Sequence, residues 1–347
     1  MLRILAAPLS LAIAILACAA ACADSVRVAS YNVGMQRKGP GLLLRDIRSG
    51  KDPAVMAAVQ VIAGTAPDIL ALQRIDWDLR AEALTALADA LSEAGVDYPY
   101  RFTARPNSGM ASGMDLDGDG RIGDPAEAQG FGYFTGQGGI AVLSRFPIQA
   151  GDVQDFSGLL WRDFPDALLP ETLSGGPFPS AEALDVQRLS STAHWIVPVT
   201  LPDGATLRLL TFHAGPPVFD GPEDRNGRRN HDEVLFWKAL LDQRFGPFAP
   251  GRFVLAGGAN LDPGKSDGRR EAIRSLLADP RFQDPLPGQV TVDWSKAGRF
   301  RVDYVLPSSD WTVRDAGVYW PDAGFAAREI AETASRHRLV WVDLELK

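Results

Sequence analysis

Short apolar runs alternate along the chain with longer segments whose apolar residues recur every three or four positions. Runs of the first kind are typical of buried strands, and segments of the second kind are typical of helices that face a core. The predicted strands are residues 26–32, 68–72, 139–144, 194–199, 207–212, 253–260, 301–306 and 339–344. The predicted helices are residues 53–64, 78–94, 231–243 and a segment that begins at Asp267. Such interleaving predicts an α/β fold in which sheets pack on each other with helices outside.

Three stretches show neither pattern, namely residues 98–138, 154–190 and 214–230. Structureless segments of this length in a compact domain usually shape a site or are held by packing anchors. The second stretch carries several aromatic residues, and two interpretations stay open for it: a lid over a site, or side chains that pin the loop to the body. These residues are Phe156, Trp161, Phe164 and Phe178.

The N-terminal segment has the composition of a secretory signal. A basic residue precedes an apolar run at residues 4–16 that is too short to span a membrane, and residues 21–23 form an Ala-Cys-Ala cleavage site. We therefore expect residues 1–23 to be a signal peptide and residues 24–347 to form one domain, exported to the periplasm or the extracellular space. A lipid anchor on Cys18 is the alternative. Cleavage would remove both cysteines, so the mature domain is expected to rely on its core rather than on disulfides.

The charge balance bears on the partners of the protein. The formal net charge is −8 and the isoelectric point is about 5.1. A protein that clamps nucleic acid usually presents a basic face, so this balance disfavours nucleic acid as the ligand without excluding it. After the N-terminal segment, no stretch is long and apolar enough to cross a bilayer. We expect an acidic monomer without a transmembrane segment.

The stretch at residues 252–263 places a polar side chain where a strand ends. An apolar run at residues 253–256 is followed by Gly257 and Gly258, then by Asn260 and an Asp-Pro turn. A strand of this kind delivers a polar side chain to the rim of a sheet, where binding and catalytic residues concentrate. Asn260 is therefore interpreted as a site residue, with a cap of the turn as the alternative.

Six further stretches occur in the order expected of one known superfamily. They are Ala-Ser-Tyr-Asn at residues 29–32, the strand at residues 67–73, the Ser-Arg-x-Pro strand at residues 139–147, Thr-Phe-His at residues 211–213, Arg-Val-Asp-Tyr at residues 301–304 and Ser-Arg-His at residues 335–337. Together they resemble the endonuclease/exonuclease/phosphatase superfamily, and the loops around residues 115–124 and 213–233 are most similar to its secreted bacterial phosphatase-like branch. The resemblance implies two packed, mostly antiparallel sheets flanked by helices in a four-layer sandwich.

The same resemblance implies metal-assisted attack of water on a phosphoester, with Mg²⁺ or Mn²⁺ as the cofactor. Five residues of the family pattern are retained in this chain. By resemblance, Asn32 helps to bind the metal ion. His213 and Asn260 belong to the catalytic set and would hold phosphate or water. Asp303 would fix the tautomer of the catalytic His337.

Three acidic residues of the family pattern are missing. Arg74 stands in place of the metal-binding Glu, Gly258 in place of the Asp that polarises water, and Arg336 in place of the Asp before the last His. A hard divalent cation needs anionic oxygen ligands, so the three replacements predict a degenerate catalytic site that binds the metal ion weakly or not at all. Our hypothesis is that Arg74 and Arg336 bind substrate phosphate where the ion would lie, with ordinary surface ion pairs as the alternative. Acidic residues of neighbouring loops that would still be available as metal ligands are Asp76, Asp78 and Asp262.

A second candidate metal site lies in the first irregular stretch. Asp115, Asp117 and Asp119 form the Asp-x-Asp-x-Asp-Gly beginning of a calcium-binding loop. Ala126 occupies the position where such a loop carries its bidentate Glu, although Glu127 is adjacent. A structural Ca²⁺ in a partial loop and an Asp-rich turn without an ion both stay open.

Three functions are consistent with these patterns. The first is an exported phosphoesterase-like hydrolase whose activity is weakened or lost through the three replacements. The alternative is a non-catalytic protein that binds a phosphorylated or other anionic small molecule in the inherited cleft. A calcium-binding surface protein is the third, and only the aspartate loop favours it.

Overall fold

The computed structural model describes residues 25–265 and 267–346. The predicted signal peptide at residues 1–23, with Cys18 and Cys22, lies outside the described residues. None of the helices within the described ranges combines the length and the apolar character that a membrane span requires.

Strands and helices alternate along nearly the whole described chain. The strands are β1 (Ser25–Asn32), β2 (Ile69–Ile75), β3 (Tyr100–Phe102), β4 (Gly139–Ser144), β5 (Gln154–Asp155), β6 (His194–Thr200), β7 (Thr206–His213), β8 (Phe253–Gly258), β9 (Val292–Trp294), β10 (Gly298–Phe300), β11 (Asp303–Pro307), β12 (Val313–Val318) and β13 (Val340–Glu345). The helices are α1 (Leu42–Ser49), α2 (Pro53–Thr65), α3 (Glu82–Glu93), α4 (Ala181–Val186), α5 (Arg225–Leu241), α6 (Glu271–Leu277) and α7 (Ala326–Ala334).

Two sheets form the centre of the molecule. A six-stranded sheet has the order β12-β13-β1-β2-β4-β3, and a five-stranded sheet has the order β11-β8-β7-β6-β5. Neighbouring strands are antiparallel except for β1 with β2 and β7 with β8, which are parallel. Strands β9 and β10 form a separate antiparallel ribbon. The mostly antiparallel two-sheet fold expected from the sequence is confirmed.

Strand β2 shows why the central apolar runs are continuous. Ile69 and Ala71 belong to the core between the two sheets, whereas Leu70 and Leu72 belong to the core between the six-stranded sheet and its helices. Alternate side chains of a strand point to opposite faces of its sheet, so a strand covered on both sides needs apolar residues at every position.

Helices cover the outer faces of both sheets and complete four layers. Residues of α2, α3 and α7 share the outer core of the six-stranded sheet, and residues of α5 and α6 share that of the five-stranded sheet. The side chain of Asp52 caps α2 by accepting a hydrogen bond from the backbone N–H of Val55 at 2.9 Å. Helix α2 then buries Val61 and Ile62 along one stripe.

The pattern misplaces the start of three helices. Helix α3 begins at Glu82 rather than at residue 78. Helix α5 begins at Arg225 rather than at residue 231. Its first turns contain glycine and asparagine, which are weak helix formers, but tertiary contacts hold them. The buried Arg229 donates to four backbone carbonyl oxygens, and Asn230 donates to a further two. Helix α6 begins at Glu271 and has no side-chain cap, so the predicted cap at Asp267 is wrong. The apolar pattern also does not predict α1, α7 or β12.

The aromatic residues of the second irregular stretch are mostly packing anchors. Trp161 and Phe164 are buried in the core beneath α5, and Phe156 packs against the same core. The indole N–H of Trp161 donates to Oδ2 of Asp232 at 2.7 Å. These contacts favour a pinned loop over a lid for this part of the stretch.

Candidate functional site

The ends of five strands carry the residues that the family pattern singles out. In the six-stranded sheet, Asn32 at the end of β1 pairs with Gln73 in β2. In the five-stranded sheet, His213 at the end of β7 pairs with Gly258 in β8, and Gly258 pairs with Asp303 at the start of β11. Strand pairing alone therefore places three of these residues side by side.

His337 connects the two sheets at this edge. Its Nδ1 lies 2.8 Å from Oδ2 of Asp303, and its Nε2 lies 3.4 Å from Nδ2 of Asn32. Oδ2 of Asp303 also accepts a hydrogen bond from the hydroxyl of Thr291 at 2.9 Å. The buried Oδ1 of Asp303 has no hydrogen-bond partner within the described residues. The carboxylate therefore holds the imidazole ring in one orientation and leaves Nε2 directed toward Asn32.

Arg74 lies at a β-bulge. The register between β2 and β4 shifts between Gln73 and Ile75, and Arg74 has a positive φ of 58°. Bulges near functional sites redirect a side chain, and a left-handed non-glycine residue stores strain that the surrounding fold must offset. Among the described residues, no hydrogen bond or ion pair involves the guanidinium of Arg74. Burial lowers the pKa of Arg74, and the nearby charge of Asp76 partly opposes this.

His213 is buried beside this arginine. Burial, and then the charges of Arg74 and His337, hold the pKa of His213 well below its ordinary value. The ring is therefore neutral at physiological pH. Its Nδ1 is buried and has no hydrogen-bond partner within the described chain. A neutral ring beside a fixed positive charge can donate to or accept from a bound anion without titrating.

Gly258 explains how the ring of His213 fits. A Cβ atom added at Gly258 would lie 2.7 Å from Nδ1 of His213 and 3.5 Å from Oδ1 of Asp303. Real Cβ atoms do not approach that closely, so the imidazole occupies space that a side chain at position 258 would need. The missing aspartate of the family pattern is thus replaced by a neighbouring ring rather than by an open vacancy.

The remaining predicted site residues lie in different surroundings. Asn260 adopts a left-handed φ of 51°, and its Nδ2 donates to the carbonyl oxygen of Ala214 at 2.8 Å. This contact joins Asn260 to the segment after β7 rather than capping the Asp-Pro turn, and the catalytic role of Asn260 stays a prediction. Arg336 is exposed, and its carbonyl oxygen accepts a hydrogen bond from the backbone N–H of Asp293 at 3.1 Å.

The acidic residues near the site are already engaged. Asp76 accepts from the backbone N–H groups of Arg37 and Gly138, both at 2.8 Å. Burial raises the pKa of Asp76 to about 6. Asp78 accepts hydrogen bonds from three backbone N–H groups at the start of α3. Asp262 accepts two from its own turn and one from the backbone N–H of Arg301, just before β11. Arg74 directly follows Gln73, the strand partner of Asn32, and this donor set at the strand ends does not fit a hard divalent cation.

Arg74 and His213 line a cavity of about 860 Å³. This volume lies within the range of small-molecule sites, roughly 300–1,000 Å³. Buried polar atoms without partners cluster on its walls, which is unusual because such atoms are normally satisfied by protein, water or ligand. Those that belong to lining residues are Oε1 of Gln36, Oγ of Ser108, Oε1 of Gln187 and Nδ1 of His213. Of the predicted site residues at the strand ends, only Arg74 and His213 line this cavity, whereas Asn32, Asn260, Asp303, Arg336 and His337 do not.

The described residues contain one acidic group with metal-ligand spacing, and it lies elsewhere. Carboxylate oxygens of Asp115, Asp117 and Glu127 lie within 4.8 Å of one another. Asp119, which the sequence pattern included, is outside this group, and Glu127, one position beyond the expected bidentate Glu, belongs to it. Burial, and then the charges of Asp117 and Asp115, raise the pKa of Glu127 to about 7, although a hydrogen bond from Leu116 opposes them.

Two packed sheets flanked by helices, with a His337–Asp303 pair where their edges meet, form an α/β sandwich. The model of the Endonuclease/Exonuclease/phosphatase family matches residues 29–337, and the chain belongs to this family. A comparison with curated protein sequences gives no match.

Solved structures share this fold at low sequence identity. An endonuclease/exonuclease/phosphatase from Beutenbergia cavernae is 19% identical, with a TM-score of 0.55 over 93% of this chain and 72% of that chain. A family protein from Leptotrichia buccalis is 17% identical, with a TM-score of 0.53 over 92% of this chain and 100% of that chain. The catalytic domain of human Nocturnin, solved with a bound sulfate anion, is 13% identical, with a TM-score of 0.51 over 93% of this chain and 94% of that chain.

Proposed function

We propose that this chain is an exported member of the family that binds a phosphoester through Arg74 and His213, and that metal-assisted hydrolysis is lost or reduced to a residual rate. The proposed ligand is a small phosphorylated molecule rather than nucleic acid, because a net charge of −8 disfavours a polyanionic partner, and the protein is proposed to act as a monomer. The family resemblance implies Mg²⁺ or Mn²⁺ as the cofactor, but the residues at these strand ends do not supply the anionic oxygen ligands that such an ion needs.

The observation that carries this proposal is the half-buried guanidinium of Arg74. A half-buried cation that forms no ion pair is costly; the nearby charge of Asp76 offsets part of this cost, and a ligand anion would offset more. Arg37, by contrast, lines the same cavity but is already paired with Asp46 and Asp52. Lys38 is exposed at the cavity and has no ion pair among the described residues, so it offers a second contact to phosphate.

The rest of the ligand has an apolar or aromatic part. Phe131, Tyr133 and Phe219 line the cavity and are 66%, 66% and 89% exposed, respectively. The rings of Phe131 and Tyr133 meet edge to face with centroids 5.7 Å apart. Large aromatic side chains left in water around a concave site indicate a surface that a ligand covers.

Residual hydrolysis is the second candidate, and the intact pair of His337 and Asp303 favours it. An imidazole oriented by a buried carboxylate is the usual arrangement of a general base. In this version, His337 accepts a proton from attacking water while Arg74 stabilises the phosphate oxygens. A rate that disappears in His337→Ala and is unchanged by a chelator would identify this activity.

Calorimetric titration with phenyl phosphate in the presence of a chelator tests the proposal. We expect binding, and we expect Arg74→Gln to weaken it by about 10- to 100-fold, because a charge-assisted hydrogen bond is lost. Arg80→Gln makes the same charge change at an exposed position next to α3 and is expected to leave the affinity unchanged.

Hydrolysis of the monoester phenyl phosphate and of the diester diphenyl phosphate is then measured with Mg²⁺, with Mn²⁺ and with chelator. We expect no metal-dependent rate. Stoichiometric Mg²⁺ with turnover that depends on His337 would establish an ordinary metal enzyme and refute the proposal, as would equal binding by the wild type and Arg74→Gln.

A further inference from the structure

Glu127 is a buried acid with an unused oxygen. The residue is 2% exposed, and it lies in a short 3₁₀ turn, Pro125–Glu127, whose start is capped by the side chain of Asp124. Its Oε2 accepts a hydrogen bond from the backbone N–H of Leu116 at 2.7 Å. Its Oε1 is buried and has no hydrogen-bond partner within the described chain. A buried carboxylate oxygen in this state needs a compensating donor or cation.

The aspartate loop brings two further carboxylates to this glutamate. Asp115 is wrapped by its own loop, and accepts hydrogen bonds from the backbone N–H groups of Gly118 at 2.6 Å and Gly120 at 2.8 Å. Carboxylate oxygens of Asp115, Asp117 and Glu127 all lie within 4.8 Å of one another. Three acids at this spacing repel one another unless a cation lies between them.

No basic side chain of the described residues neutralises the group. Arg225, at the start of α5, is a basic residue beside this loop, but its guanidinium donates to the carbonyl oxygen of Leu116 rather than to a carboxylate. Arg121 approaches Asp119 at 3.9 Å, and Asp119 is outside the group. Arg225 is near enough for the charges of Asp117 and Glu127 to favour its charged form, but within the described residues none of the three carboxylates forms an ion pair with a basic side chain.

We propose that Asp115, Asp117 and Glu127 bind one Ca²⁺ ion. All three supply anionic oxygen, which hard divalent cations prefer. Ca²⁺ accepts six to eight oxygens in flexible geometry, so the loop's carbonyl groups and water complete its shell, whereas Mg²⁺ demands a smaller and more regular site. The unpaired Oε1 of Glu127 distinguishes this group from an ordinary solvated acidic turn.

The ion would stabilise one wall of the ligand cavity. Asp117 and Ala126 line the cavity, as does Arg225, which is tied to the same loop through Leu116. Removing the ion would leave the wall with repelling charges. Calcium and the phosphoester would therefore bind at separate places, with calcium ordering the surface that the ligand covers.

Equilibrium dialysis of the metal-free protein against Ca²⁺ tests the proposal. We expect one Ca²⁺ per chain and a melting temperature that rises with its concentration. Glu127→Gln keeps the shape and the acceptor for Leu116 but removes the charge, and is expected to weaken Ca²⁺ by at least about 30-fold. Glu182→Gln, the same change at an exposed residue of α4, is expected to have no effect.

Several outcomes would overturn this assignment. They are absence of Ca²⁺ binding at millimolar concentration, tighter binding of Mg²⁺ than of Ca²⁺, or a larger loss in Asp119→Asn than in Glu127→Gln. If Glu127→Gln does not fold, Asp117→Asn replaces it, because Asp117 is partly exposed and its change does not bury an unpaired group. Melting curves in chelator must match the wild type before either variant is interpreted. Phosphoester binding is measured separately, so failure here leaves the Arg74 proposal intact.

Discussion

Two regions of this molecule have opposite charge chemistry. At the strand ends, where the family resemblance implies a metal ion, the chain has Arg74, a neutral His213 and Gly258, whose missing side chain leaves room for the ring of His213. In the loop at the cavity wall, carboxylate oxygens of Asp115, Asp117 and Glu127 lie within 4.8 Å of one another, and no described basic side chain forms an ion pair with them. Anionic ligands for a cation are thus missing at the strand ends, where the family pattern expects them, and are gathered in the aspartate loop, where the family pattern does not require them. Family membership alone therefore does not locate a metal in this chain.

The largest expected effect comes from reversing the charge at the first region. Arg74→Glu removes a cation and adds an anion beside the ligand, so we expect phenyl phosphate affinity to fall by more than about 100-fold in chelator. Ca²⁺ affinity should stay within about twofold, since the loop carboxylates are unchanged. Titration of each ligand against the same variant measures both effects. Parallel losses would show that the two regions form one site.

A smaller effect is expected from filling the space beside His213. Gly258→Ala places a Cβ atom 2.7 Å from Nδ1 of the ring, so we expect a loss of about 2 kcal/mol in the free energy of unfolding and weaker phosphoester binding. Urea denaturation gives the first quantity. Gly158→Ala, at a glycine with open space around it, serves as the control and should change stability by less than about 0.5 kcal/mol. Equal stability of the two variants would contradict the close approach.

The smallest expected effect concerns pH. Because the pKa of His213 lies well below its ordinary value, the ring should stay neutral over an interval that runs from about pH 8 through about pH 6.5, where an ordinary histidine gains charge. The ratio of sulfate affinities for the wild type and His213→Gln should therefore be constant across this interval. A ratio that rises below about pH 6.5 would show an ordinary histidine.

The same depressed pKa has a consequence for stability. The unfolded state binds more protons than the folded state near pH 6, so the wild type should lose stability relative to His213→Gln as the pH falls through about 6.5. The buried His194 titrates similarly in both proteins and cancels in the difference.

The central strands could be predicted because each of them is marked by its own run of apolar residues. Every predicted strand overlaps an observed one, since an apolar run covered on both faces is a strong signal even when read alone. The family pattern then placed His213, Gly258 and Asp303 on strands that prove to be neighbours. Arg74 was identified as unusual from its position, but its bulge and its lack of a partner depend on the pairing of β2 with β4 and are not visible in sequence.

The remaining features depend on contacts between distant segments. Helix α5 starts early because Arg229 and Asn230 bind backbone carbonyls of other loops, which overrides weak local propensity. The acidic group contains Glu127 rather than the predicted Asp119, because a hydrogen bond from Leu116 to Glu127 folds the loop back on itself. The fixed spacing of a calcium-loop motif does not predict this contact. The adjacency of Glu127 to the expected glutamate position was the only signal available.

The fit between Gly258 and His213 couples these two positions. An Asp introduced at position 258 would place its Cβ atom 2.7 Å from Nδ1 of the imidazole, so the ring would have to move. A designed carboxylate at this strand end therefore calls for a compensating change around His213 in the same variant.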